Sequence, residues 1–384
     1  MLHLLVGLLP GLPTTIPLAR AATAHSLSCD PPALCDVPNC KRCGGGAHGT
    51  PTFCLQCCPD CTLVATPPYT YCNCSSPAPG PAPYPPAPAP LFACPSTSCW
   101  CTEVYADAAI VHTAAVPYRT IFNVVENKTQ TLLFDVWATP GAMKQGGRPV
   151  ALIVHGGGFS TGTYNGCSHA RDMHSFALQA AKFAQHGFVA VSIDYRCYGP
   201  LREKPTLNVT APWKAAVQDA RAAILHLRTA AVSAKFNLDM SKLFVFGGSA
   251  GAATGAMLAF SPLDPVREIN ANVTAACVLS GSVMNHSIVA GFAKASTASP
   301  AYLDFHGTND STVPYTRALN PNGADYWGTA LHTEEWGLAA GADASLMPIP
   351  GRGHVPFDAL YEAPFNTTMF GFLLDRLSLN DVEC

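Results

Sequence analysis

Lys242-Leu243-Phe244-Val245-Phe246-Gly247-Gly248-Ser249-Ala250-Gly251-Ala252-Ala253-Thr254-Gly255-Ala256-Met257-Leu258-Ala259 is the stretch on which the fold turns. Leu243–Phe246 is a short unbroken apolar run, as a strand buried on both faces requires, and Ala250–Ala259 reads as a small-residue helix. Between them, glycines at both ends of Gly247-Gly248-Ser249-Ala250-Gly251 permit a tight strand-to-helix turn that leaves the serine exposed in a strained pose. The helix N-terminus behind it favours developing negative charge. A Gly-rich turn with a capping serine would look alike in isolation. The strand before and the helix after favour Ser249 as a nucleophile.

Outward from this turn, short apolar runs alternate with helical stretches. Val150–Val154, Phe188–Ile193, Ala275–Leu279, Tyr302–Phe305 and Leu346–Ile349 read as further buried strands, and Val116–Val125 with Thr131–Ala138 as an antiparallel pair ahead of them. Helices are expected over Ala170–His186, Trp213–Thr229, Ala324–Ala340 and Phe365–Leu377; the second has Ala216, Val217, Ala220, Ile224 and Leu227 at helical spacing. Strand alternating with helix implies an α/β fold, a mostly parallel sheet with helices on both faces, whose ligands bind at the carboxyl ends of the strands.

Three more motifs fall at those ends. His155-Gly156-Gly157-Gly158-Phe159 follows the strand Pro149–Val154. Its glycines let backbone N–H groups approach a ligand closely, which suits an oxyanion hole made by Gly157, Gly158 and the N–H of Ala250. His155 reads as structural. His306-Gly307-Thr308-Asn309-Asp310 follows the strand Ala301–Phe305 and puts Asp310 in a loop; Asp304, inside the strand, is the weaker acid candidate. Gly351-Arg352-Gly353-His354 follows Ser345–Ile349 and offers a Gly-flanked histidine. The chain order Ser249, Asp310, His354 suits a nucleophile, an orienting acid and a general base.

With these four motifs, the chain resembles the α/β-hydrolases of the HGGG class: carboxylesterases, lipases and acetyl or feruloyl esterases. The likeness covers roughly residues 116–377 and includes Asp194-Tyr195-Arg196, which it implies is a structural turn. Two departures stand out. The turn is Gly-Gly-Ser-Ala-Gly where relatives of hormone-sensitive lipase have Gly-Asp-Ser-Ala-Gly, and the acid is Asp where cholinesterase-type members have Glu. Both point to the smaller, bacterial-type branch. The resemblance implies hydrolysis of carboxylic esters through an acyl-enzyme, with no metal and no organic cofactor. A serine peptidase of the oligopeptidase type and a hydrolase-like adhesion protein are the alternatives. No propeller or amine-binding acidic pair supports the first, and an intact Ser249, Asp310 and His354 speaks against the second.

The N-terminal part is of another kind. Residues 1–24 carry the apolar run Leu2–Leu12 followed by small-residue cleavage patterns, and read as a signal peptide. Thirteen of the 17 cysteines lie between Cys29 and Cys101. The pairs Cys40/Cys43, Cys54/Cys57 and Cys58/Cys61 have zinc-ligand spacing, but so many cysteines favour a disulfide module over residues 25–76. The Pro-rich segment 77–93 is a stiff linker, 94–115 a Cys-containing connection and 116–384 the hydrolase domain. Sequons at Asn73, Asn127, Asn208, Asn272, Asn285, Asn309 and Asn366 add to the expectation of a secreted, extracellular glycoprotein. No later run is long enough for a transmembrane anchor. With 12% charged residues, a formal net charge of −3 and no basic run, nucleic acid is not an expected partner. The expected partner is an ester substrate, with polymer-bound esters suggested by the appended module; the oligomeric state is not legible. An odd cysteine count leaves at least one thiol without an intrachain partner. Cys277, inside an apolar strand, is expected free, Cys167 and Cys197 are expected to pair at the rim of the site, and Cys384 to pair with the Cys-rich segment, the alternative being a free Cys384 with an odd cysteine left in that segment.

Overall fold

The computed structural model describes residues 40–44, 53–57, 61–66, 69–74, 88–123, 127–139, 147–160, 171, 174–198, 210–260, 272–282, 300–315 and 343–380. The signal-peptide stretch, the expected helix over 324–340, Cys167 and Cys384 lie outside them. In the Cys-rich segment, β1 (Cys40–Gly44) pairs with β2 (Phe53–Cys57) and β3 (Cys61–Thr66) with β4 (Tyr69–Cys74), each pair antiparallel.

The main sheet has eight strands: β5 (Val111–Asn123), β6 (Lys128–Ala138), β7 (Arg148–Val154), β8 (Val189–Ile193), β9 (Leu238–Gly248), β10 (Ala275–Leu279), β11 (Ala301–Gly307) and β12 (Ala344–Ile349). Their spatial order is β5-β6-β8-β7-β9-β10-β11-β12. β5 and β6 pair antiparallel, β6 pairs antiparallel with β8, and every pair from β8 to β12 is parallel. Helices α1 (His174–Gln185), α2 (Thr210–Leu227), α3 (Ala230–Phe236), α4 (Ala250–Phe260) and α5 (Phe365–Arg376) accompany them. This is the α/β-hydrolase fold expected from the sequence.

Burial on both faces explains the apolar runs. β7, β8, β10 and β11 are buried at every position, and their side chains alternate between two cores. One face packs Val150, Leu152, Val189, Val191, Val245 and Val278 against α2 and α4. The other packs Ile153, Ala190, Phe244, Phe246, Leu303 and Phe305 against α1 and α5. α4 is buried throughout, which requires small residues: a Cβ on Gly255 would already lie 3.0 Å from Val278 and 3.3 Å from Val245.

Residues 91–110 join the second core. Cys94 and Cys101 form a disulfide, and between them Trp100 is buried against Phe188, its indole N–H donating to the Asn380 carbonyl at 2.8 Å. His186 Nδ1 lies 2.9 Å from the Trp100 carbonyl, and its ring stacks on Phe370 at 3.6 Å. Gly187 allows the close approach, with φ of +90° and the Trp100 ring 3.3 Å from where a Cβ would stand. Phe92 packs on Phe372. Among the described residues Cys277 is the free cysteine, fully buried as expected; Cys99 and Cys197 are both disulfide-bonded. No helix among the described residues is long and apolar enough to cross a membrane.

Candidate active site

β9 ends at Gly248 and α4 begins at Ala250, so Ser249 occupies the turn between them. Its φ is +55°, a left-handed conformation costly for any residue but glycine. The flanking residues explain how it is held. A Cβ on Gly251 would overlap the Val154 carbonyl oxygen, and one on Gly247 would overlap the backbone of Gly251. The Ser249 N–H donates to the Leu279 carbonyl at 3.1 Å, and its own carbonyl accepts from Ala253 at 2.9 Å. Gly248, the departure from the Gly-Asp-Ser-Ala-Gly pattern, is boxed in by Val355, Phe176 and Phe357, with 3.1 Å to the nearest atom from a Cβ position.

His354 stands on the loop after β12, its Nε2 2.8 Å from Ser249 Oγ and its Nδ1 2.7 Å from Asp310 Oδ2. A carboxylate accepts, so Nδ1 carries the proton and Nε2 is left to accept from the serine hydroxyl. The loop is fixed beside the base. Val355 takes a φ of +52°, and its N–H donates to Ser280 Oγ at 3.0 Å. The two loops also lock together, since a Cβ on Gly307 would overlap the carbonyl oxygens of Arg352 and Gly353.

Asp310 is buried, accepts three hydrogen bonds and pairs with a second histidine. Thr312 and Val313 donate their N–H groups to Oδ1 at 2.8 and 2.9 Å, while His354 and His306 face Oδ2. Burial works against its charge, but the hydrogen bonds from the two histidines outweigh it and hold the carboxyl well below the usual carboxylate range. Asp304, the weaker candidate, faces His306 rather than His354.

The His155–Phe159 loop lies against the serine turn. A Cβ on Gly156 would stand 3.0 Å from the Gly248 carbonyl oxygen and 3.2 Å from Ser249 Cβ. Gly157 and Gly158 have φ of +107° and +62°, and the space where a Cβ of Gly158 would stand is open. Ala250 is the first residue of α4, so its N–H has no acceptor within the helix. The structure therefore gathers Ser249, His354, Asp310 and the backbone of Gly157, Gly158 and Ala250 at the carboxyl ends of β7, β9, β11 and β12. His155 is buried, stacked on Tyr195 at 4.1 Å, and burial pushes its imidazole down to about 4. The Tyr195 hydroxyl donates to the carbonyls of His155 and Gly156 at 3.0 and 3.1 Å. Asp194-Tyr195-Arg196 thus supports the glycine loop: Arg171 bridges Asp194 and Asp135, and Arg196 pairs with Asp219.

Ser280 was not singled out from the sequence, and Gly307 and His306 stood within a quoted motif without a role of their own. The signal for His306 was present: Asp304 and His306, two apart on a strand, share a face. Among the described residues, no group of three His, Cys, Asp or Glu could hold a metal ion.

The strand order, the serine turn and the ordered Ser249, Asp310 and His354 give this chain the fold and the site arrangement of an α/β-hydrolase. Within that class, the family model that matches is BD-FAE, over residues 134–293. No curated protein matches the chain. Among solved structures, esterase 2 of Thermogutta terrifontis phosphorylated by paraoxon is similar at 19% identity and a TM-score of 0.48, covering 70% of this chain and 95% of its own. A truncated carbohydrate esterase from gut microbiota is similar at 17% identity and a TM-score of 0.46, covering 72% and 98%.

Proposed function

We propose that this chain is a secreted serine esterase that hydrolyses carboxylic esters through an acyl-enzyme. The observation that carries the reading is the hydrogen-bonded row Ser249 Oγ, His354, Asp310, at 2.8 and 2.7 Å. Ser249 attacks the ester carbonyl as Nε2 of His354 takes its proton. Asp310 holds the imidazole in the needed tautomer and stabilises the imidazolium that forms. The N–H groups of Gly157, Gly158 and Ala250 receive the oxyanion, for which one preorganised donor is typically worth about 3 kcal/mol. His354 then protonates the leaving alcohol, and a water that it activates releases the acid and restores Ser249.

The substrate class within this reading is an ester carried on a polymer, of the acetyl or feruloyl polysaccharide kind. The Cys-rich segment and its Pro-rich connection support it, since a tethered module favours an extended ligand by raising effective concentration. Secretion and glycosylation belong to the same proposal and rest on the 17 cysteines and seven sequons. The test is a comparison of acetylated and feruloylated polysaccharides with nitrophenyl esters of increasing acyl length, using the full chain and residues 88–384. Release from polymer that falls on deletion of residues 25–87, with small-ester turnover unchanged, is the expected outcome. Equal release by both forms removes the polymer assignment, and no turnover of any ester removes the esterase reading.

A further inference from the structure

Behind Asp310 lies a second imidazole that acyl transfer by Ser249 and His354 does not require. The side chain of His306 is fully buried, and both ring nitrogens face acceptors. Nε2 is 2.7 Å from the Val313 carbonyl and 3.2 Å from Asp310 Oδ2. Nδ1 is 3.0 Å from Asp304 Oδ2, and the other oxygen of Asp304 accepts the Gly281 N–H at 3.2 Å. A backbone carbonyl can only accept, so Nε2 carries a proton; a carboxylate at Nδ1 calls for a second. The geometry is that of an imidazolium held between two carboxylates.

We propose that His306 is a positioning residue for the acyl-transfer reaction, clamped as an imidazolium between Asp304 and Asp310 so that Asp310 stays ionised and aimed at His354. The proposal rests on the esterase reading of Ser249, His354 and Asp310. Its physical reason is the cost of two buried carboxylates on neighbouring positions: each disfavours the other's charge, and a cation between them offsets both. Val313 ties the arrangement together, its N–H on Asp310 and its carbonyl on His306. When His354 takes the Ser249 proton, the row Asp304, His306, Asp310, His354 alternates in sign and is neutral overall. The other groups that face this row are Cys277 on β10 and Tyr302 on β11, both near Asp304, and the Tyr315 ring at 6.0 Å from His306. Burial alone would lower the His306 imidazole; the charge of Asp304 and the acceptors that its ring N–H groups face on Asp304, Asp310 and Val313 push it up to about 10.

Two measurements on the full chain decide the matter. Histidine-selective ¹⁵N labelling of the wild type reads the charge without reference to activity. One imidazole with both nitrogens protonated from pH 5 to 8, missing from His306→Gln, is expected; a neutral His306 overturns the proposal. The second is the pH profile of kcat/KM. His306→Gln keeps a donor for Asp310 but removes the cation, and Asp304→Asn removes the carboxylate that holds the second proton. Each is expected to lower kcat roughly tenfold or more with KM little changed, and to move the acid limb upward by about half a pH unit. The double variant is expected to fall no further than the worse single. Folded variants with an unmoved acid limb and additive losses would show a merely structural role and overturn the proposal. A wild type that hydrolyses no ester would instead overturn the esterase reading, which the ¹⁵N spectrum does not touch.

Discussion

Gly251 lies against Val154 so closely that a methyl group on its Cα would overlap the Val154 carbonyl oxygen. This contact sets the serine turn at the end of β9 against the glycine loop that leaves β7, and so fixes how near Ser249 comes to the backbone of Gly157 and Gly158. Gly251→Ala should therefore cost more than an ordinary buried insertion, about 2 kcal/mol or more, because backbone rather than a side-chain tip must move. Urea unfolding together with turnover measures it. A variant of wild-type stability and activity would mean the two elements are not so tightly set.

Cys277 sits on β10 with its side chain fully buried, beside Asp304, and burial pushes its thiol far above the ordinary range. The thiolate is the reactive species, so the residue should be inert. Iodoacetamide at pH 8 is expected to leave Cys277 unmodified in the native protein and to label it fully in urea, as peptide mass spectrometry reads. Labelling at native pH, or a disulfide at Cys277, contradicts this placement.

Two buried histidines make the fold sensitive to acid. Burial lowers both His155 and His186 to about 4, whereas unfolded imidazoles titrate near 6.5. The unfolded chain thus binds more protons between about pH 6.5 and 4, and stability falls as the pH falls through that window. Asp194, which burial pushes up to about 7, acts in the opposite sense. A variant therefore isolates the imidazole's share. His186→Gln should be less stable at pH 7 but show a shallower loss of urea midpoint between pH 6.5 and 4.5. Parallel slopes for variant and wild type would rule out His186 as a source.

Asp310→Asn should be far more damaging than its near-isosteric size suggests. Thr312 and Val313 donate to Oδ1, which leaves the amide nitrogen to face Nδ1 of His354. A donor there selects the tautomer with the proton on Nε2, and Ser249 then has no acceptor. A fall in kcat of about 10⁴ is expected. Loss of less than tenfold in steady-state assays would remove Asp310 from its role.

What could be read in advance followed from burial. Ala275–Leu279 is a strand buried on both faces and bounded as read, because nothing polar interrupts it. β9, by contrast, begins at Leu238 rather than Leu243. Asp239, Ser241 and Lys242 hid that beginning, which is paid for by pairing with Arg148 and Pro149 of β7. α3 was missed because Ala230–Phe236 follows α2 after two residues and looks like its frayed end. At the site, Ser249, Asp310 and His354 could be read since each ends a strand beside glycines. Ser280 could not be weighed, because its partner Val355 comes from a separate loop, whereas His306 shares a strand face with Asp304 and only the turn of the loop after β11 brings Val313 and Asp310 to it.

If Ser249 is a nucleophile activated by His354, a fluorophosphonate probe should label it. One modified serine, Ser249, is expected, with labelling lost in Ser249→Ala and slowed by orders of magnitude in His354→Gln, while both variants keep the wild-type fold by circular dichroism. Ester turnover of Ser249→Ala should fall by about 10⁶. A label on any other serine, or Ser249→Ala turnover within tenfold of wild type, would contradict it.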